Sequence, residues 1–181
     1  MAPATRHFRR AAIIPTMRKS TRQGLRLDEE HAAFIQGAVS VVVCSRSADM
    51  VPDVVRGCGC RVSRDRRRVT VLVEPERSGS VLDQIVANGM IAVVFSQPST
   101  LRTIQLKGAD ARLGRATATD RAIVERHAQA WVDDLCSIGY GREFARALHG
   151  LPDRRLAAIS FTPAAAFQQT PGPAAGERLG S

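Results

Sequence analysis

Three arginines, two serines and a threonine are spaced along the middle of the chain in the pattern an anion site requires. Arg77-Ser78-Gly79-Ser80 reads as a polar loop feeding a helix whose apolar positions are Val81, Leu82, Ile85 and Val86. Such a start offers free backbone N–H groups, hydroxyl donors and the positive end of the helix dipole. Arg56 lies on a preceding strand, and Arg102 with Thr103 opens a following one. If those strands close into a barrel, their side chains are expected to converge on the loop. Bidentate guanidinium groups with hydroxyls are what a phosphomonoester dianion needs. Taken singly, the loop is equally an ordinary helix start capped by a serine.

The other reactive residues carry weaker signals. Gly57-Cys58-Gly59-Cys60 places two thiols two positions apart, on one face of a regular strand. Without a companion pair, that spacing is a poor zinc or dithiol signature, and small buried residues that leave room for a ligand fit it better. His7, His31, His127 and His149 show no ligand spacing. His127 falls on an apolar helix stripe, as a core or interface residue, and His149 at a helix end, where a positive charge is favourable. No metal site is expected. Nucleophile elbow, Walker A and dinucleotide glycine fingerprints are missing, so hydrolase and nucleotidase readings lack support.

The elements that must position these residues follow from periodicity. Leu27 to Gln36 reads as a short helix with Asp28, Glu29 and Glu30 in its first turn. Val39–Arg46 and Val51–Ser63 are β-branched strands around the turn at Ser47-Ala48-Asp49, a hairpin pattern. Val69–Val73 and Met90–Phe95 are short apolar runs, and the helix between them stops at Asn88-Gly89. A long strand is expected from Arg102 to Arg115, with Gly108 as a bulge or corner. Thr119 or Asp120 is expected to cap a helix to about Ser137, with Ile123, Val124, Ala128, Trp131, Val132 and Leu135 as its stripe. A helix over Arg142–His149 and a strand over Leu156–Thr162 complete the count. Six strands joined mostly as hairpins, with helices at the periphery, suit a small barrel better than a doubly wound parallel sheet.

Composition bounds the function. The 181 residues suffice for one domain. The net charge of +9 raises nucleic acid as a partner, but Arg6, Arg9, Arg10, Arg18, Lys19 and Arg22 crowd the N-terminus, and aromatics are only 4 % of the chain. A basic stripe interleaved with aromatics is lacking, which argues against nucleic acid. No run approaches the ~20 apolar residues of a membrane span, and the four cysteines come without a secretory signal, so a cytoplasmic, reduced protein is expected. The organisation reads as a basic, disordered extension over 1–26, one domain over 27–167, and a Pro/Gly-rich tail over 168–181.

In this order, VTVLVE, a polar loop, SVLDQIVANG, MIAVVFSQP and RTIQLKGAD resemble the flavin-binding split-barrel proteins related to pyridoxamine 5′-phosphate oxidase. The likeness runs from about Asp28 to Thr162. It implies a mainly β fold with peripheral helices, a six-stranded Greek-key split β-barrel, that binds FMN as an oxidoreductase. A homodimer with the cofactor cleft at the subunit interface is also implied, with the Trp131 helix as an outer element and a small molecule as substrate or electron donor. Carried over by position, Arg56, Arg77, Ser78 and Ser80 hold the flavin phosphate. Thr103 lies near the ring or ribityl chain, and backbone amides of Val71, Leu72 and Val73 contact the ring. The chain departs from the oxidase at Gly79, which stands near the place of a phosphate-loop lysine, and lacks the oxidase's C-terminal Arg-x-His segment. Those departures weigh against the oxidase's own reaction more than against flavin. Alternatives are a barrel that binds deazaflavin or haem, and a non-enzymatic dimeric regulatory module.

Overall fold

The computed structural model describes residues 24–149 and 155–179. The N-terminal basic extension expected over 1–26 lies outside the described residues as far as residue 23. Gly24 to Arg26 already belong to the fold, since Leu25 donates its N–H to Pro163 O at 2.7 Å and packs on the core.

Helix α1 (Glu29–Ile35) starts where Asp28 accepts the His31 N–H, and it buries Ala32 and Ile35. The hairpin that follows is β1 (Ser40–Arg46) and β2 (Pro52–Val62). In β1, Val41, Val43 and Ser45 turn inward while Val42 and Cys44 turn outward, as the two-residue period demands. β3 (Val69–Val73) is buried throughout because it has neighbours on both edges and cover on both faces. After α2 (Pro75–Asn88) come β4 (Ile91–Ser96) and β5 (Thr103–Gly108). β6 (Arg112–Arg115), α3 (Ala118–Ser137), α4 (Arg142–His149), β7 (Ala157–Phe161) and β8 (Ala165–Gln168) follow.

All pairings are antiparallel, in the order β6-β7-β3-β2-β1-β4-β5-β8. The inward side chains of this curled sheet, with Val81 and Ile85 of α2 and Ile35 of α1, form one apolar cluster. Each fully buried Val or Ile there contributes about 1.5–3 kcal/mol of transfer free energy.

The described residues hold eight strands, two more than expected. The single strand expected over Arg102–Arg115 is two: the chain breaks at Gly108, β5 pairs with β4 and β8, and β6 pairs with β7 at the opposite edge. Gly108 is a corner of the split barrel, since a Cβ there would meet Phe161 Cδ2 at 2.7 Å and Thr162 O at 3.0 Å. β8 lies in the run after Thr162, where no strand was expected. The segment from 168 onward is no separate tail as far as residue 179: it folds back on β8, with Gln168 N–H to Glu177 O and Leu179 N–H to Ala166 O, both 2.9 Å.

Two further differences bear on the site. A bulge in β2 pairs Gly57 with Val73 and Gly59 with Leu72, leaving Cys58 as the extra residue. The bulge inverts the alternation, so Cys60 points into the barrel core and Cys58 lies on the outer face under α3. The two thiols therefore do not share a side. The second difference is the cap of α3, which is Thr117 rather than Thr119 or Asp120; Asp120 sits at the third helical position and closes a capping box.

Candidate functional site

α3 lies diagonally across the outer face of the sheet, and four contacts fix it there. Near its start, buried Asp120 accepts from Arg61 Nε at 2.6 Å. Val124 packs with Cys58, Leu72 and Ala158. His127 stands over Gly59, where a Cβ would lie 3.4 Å from its own Cβ. Toward its end, Asp134 accepts from Gln97 Nε2 (2.8 Å), Ser99 N–H (3.0 Å) and Ser99 Oγ (2.6 Å) in the turn between β4 and β5.

Beside α3 the outer face stays open. The register lines up Arg56, Val42, Val94, Gln105 and Phe167 across β2, β1, β4, β5 and β8. Val42 is 37 % exposed and Val54 61 % exposed, so this strip offers water a flat apolar surface with a cation at one side.

Arg56 is that cation. Its guanidinium lies 4.9 Å from the centroid of the Trp131 ring on α3, close enough for a cation–π contact. Among the described residues no carboxylate lies within ion-pair distance of it. Arg77 stands on α2, and its charge and that of Arg56 both act on the thiol of Cys58. Burial pushes that thiol up to about 11, the Glu74 carboxylate adds to the rise, and the two arginines oppose it. Cys58 is thus a protonated, inert filler at neutral pH, packed with Leu72, Val124 and Ala158. Arg77 is largely exposed and reaches the mostly buried Glu74 Oε2 at 3.4 Å.

The other expected ligands fall elsewhere. Arg77 to Ser80 form no loop: α2 begins at Pro75 with Glu74 as its cap, so all four residues lie in the first two turns. Proline is favoured at a first helical position, because the N–H it lacks would have no partner there. Ser78 is buried and its hydroxyl donates to Glu74 O at 2.6 Å, so it is spent inside the helix. Ser80 is exposed, three residues from Arg77 and on the same helix face.

Arg102 turns away toward α1, donating to Glu30 Oε1 at 2.7 Å and covering the Phe34 ring at 4.4 Å. Thr103 faces outward but pairs its hydroxyl with Ser96 Oγ at 2.7 Å. Its strand stands three places from that of Arg56, roughly 14 Å at the usual strand spacing, because β1 and β4 lie between β2 and β5. Arg56 and Arg102 with Thr103 therefore do not converge within one chain. Val71, Leu72 and Val73 are enclosed: their main chain is shared between β2 and β7 and their side chains are fully buried, so no amide there is free for a ring. Sequence reasoning missed Trp131 as a partner of Arg56, placing it only in the apolar stripe of its helix; their contact is set by how α3 crosses the sheet.

No family model matches this sequence, and no curated protein does. Solved structures do match. An F420 reductase aligns over 77 % of this chain and 98 % of its own, with a TM-score of 0.51 at 13 % identity. HupZ of Group A Streptococcus aligns over 83 % and 99 %, with a TM-score of 0.49 at 18 % identity. A Clostridium acetobutylicum protein related to general stress protein 26, of the pyridoxinephosphate oxidase family, aligns over 76 % and 83 %, with a TM-score of 0.43 at 16 % identity. At these identities the likeness is one of fold.

Proposed function

We propose, from the premise that this chain has the split-barrel fold of pyridoxamine 5′-phosphate oxidase-like proteins, that it binds FMN on the open outer face and serves as a flavin-dependent oxidoreductase. The observation that carries the reading is Arg56: a guanidinium held against Trp131, without a carboxylate partner among the described residues, at the margin of an apolar strip. Such a cation is available for a phosphate, and the strip for a flat ring. Arg56 and Arg77 would hold the phosphate, with the exposed hydroxyl of Ser80 beside Arg77. When bound, the flavin supplies the two-electron chemistry, and the protein supplies anchorage, orientation and exclusion of water. A partner subunit covering the strip would complete the cleft, so the active form is proposed to be a homodimer acting on a small molecule.

The F420 reductase favours a second reading, in which the same cation receives a deazaflavin phosphate. No helix among the described residues is long and apolar enough to cross a membrane.

The test is an absorption spectrum after adding FMN and removing the excess. Retained bands near about 375 and 450 nm are expected for a bound flavin. Arg56→Ala and Arg77→Ala should each weaken FMN binding by about 1.5–3 kcal/mol, the loss of a hydrogen bond to a charged group. Unchanged FMN affinity in both variants would remove this site, and retention of F420 but not FMN would select the deazaflavin reading.

A further inference from the structure

Beside Trp131, α3 and α4 meet through two imidazoles. His127 Nδ1 and His149 Nε2 are 3.3 Å apart. Their ring centroids are 5.5 Å apart, longer than the nitrogen separation by about two ring radii, so the nitrogens meet head on. That is the geometry of one N–H···N bond holding a single proton. A metal ion would need both lone pairs to converge on a common point, whereas here they face each other.

We propose that this pair is a proton-operated latch that holds α4 on α3: one proton between the rings closes it, and a proton on each facing nitrogen opens it. The inference stands apart from whatever binds at Arg56.

Besides this pair and the tilted contact of His149 with the Trp131 ring, few contacts among the described residues secure α4. Its eight residues fall short of the ~12–15 an isolated helix needs in water, and Ala145 is its one buried residue. Ala145 packs with Trp131, Val132 and Leu135. Arg142 reaches Asp133 Oδ1 at 2.9 Å, but both partners are about half exposed and contribute little. The side chains that would normally bury such a helix, Phe144 and Leu148, are 52 % and 45 % exposed. Gly139 at φ 97° and Gly141 form the link to α3, and no atom stands within 4 Å of the Cβ position at either. A hinge of that kind lets α4 leave without disturbing the sheet.

The charges around the pair set the direction. Arg56 acts on His127 from β2 and His149 acts on it from α4, while Glu125 and Arg146 line the adjoining cavity between the helices. The first added proton leaves the latch closed, because an imidazolium still donates to a neutral neighbour. The second meets a buried ring already facing a cation. Burial first, then His149 and Arg56, push His127 down to about 4, against modest support from main-chain groups of Val39 and Cys58. The folded state thus resists a proton that the released helix accepts, so the latch holds above the ordinary histidine range and loosens as pH falls through it.

Hydrogen exchange of the full chain, followed from pH 7 to pH 4 and corrected for intrinsic rates, tests the latch. In the wild type, protection of the α4 amides should fall at least tenfold on acidification while β1 and β4 stay protected. Trp131, the chain's only tryptophan, has its ring 5.6 Å from that of His149, tilted by 59°, and should change its emission over the same range. In His149→Leu, α4 protection should already be low at pH 7 and indifferent to pH, with the sheet intact. Equal α4 protection in the two proteins would overturn the proposal. So would loss of α4 and sheet protection at one common pH.

Discussion

Replacing Asp120 by alanine tests what holds α3 over the sheet, and so what brings Trp131 to Arg56. The carboxylate is fully buried and accepts from Arg61 Nε at 2.6 Å, Thr117 N–H at 2.8 Å and Thr117 Oγ1 at 2.9 Å. Burial alone pushes its pKa up, yet the bond from Arg61 and those from Thr117 together hold it below the ordinary carboxyl value. Arg61 is 40 % exposed, so its guanidinium regains water when the partner is lost and the ion pair is worth about 1 kcal/mol rather than a buried pair's full value. Loss of the capping box adds about 1 kcal/mol. The expected cost is therefore about 2 kcal/mol, a drop in Tm of roughly 4–8 °C for a domain of this size.

Urea unfolding followed by circular dichroism reads that cost, and a double-mutant cycle with Arg61→Ala should return a coupling of at least about 0.5 kcal/mol. Asp120→Asn keeps the shape and loses the charge. Because the folded pKa is lowered, the stability it represents is present above the ordinary value of 3.8 and lost below it. Wild type and Asp120→Asn should therefore approach each other in stability as pH falls below that value. A cost for Asp120→Ala below about 0.5 kcal/mol, the range of an idle surface change, would refute the anchoring role. Zero coupling to Arg61 would refute the ion-pair part of it.

Gly57→Ala should destabilise by about 1–3 kcal/mol through overpacking, since its Cβ would meet Val41 Cγ1 at 2.7 Å, and thermal unfolding reads this. Ser78→Ala removes one buried hydroxyl bond to Glu74 O and should cost about 0.5–1.5 kcal/mol in urea unfolding. Ser78→Ala should also leave FMN affinity unchanged in a titration, in contrast to Arg56→Ala. Asp134→Ala strips three bonds from Gln97 and Ser99 and should cost about 1–3 kcal/mol, with faster exchange of the Ser99 amide as its local signature.

Much of the fold was legible locally, because strand and helix periods are written in the side chains. Val41 and Val43 alternate with Val42, the run from Val69 to Val73 is apolar throughout, and Gly89 at φ 68° ends α2. The place of Arg56 on the second strand was legible too. Helix α2 was misread at its start because Ser78-Gly79-Ser80 resembles a loop, although Pro75 is itself a start signal; burial of the Ser78 hydroxyl against Glu74 O decides the matter. Tertiary structure alone decided the rest. The bulge that parts Cys58 from Cys60 is set by pairing with β3. The break at Gly108, which sends β5 and β6 to opposite edges, comes from the close approach of Phe161. The partners of three arginines are likewise a long-range matter: Glu30 takes Arg102, Asp120 takes Arg61, and the ring of Trp131 takes Arg56. A guanidinium looks the same in any sequence window. Whether it stays available to an anion depends on which carboxylate the chain's path brings within reach, and that is settled by residues tens of positions away.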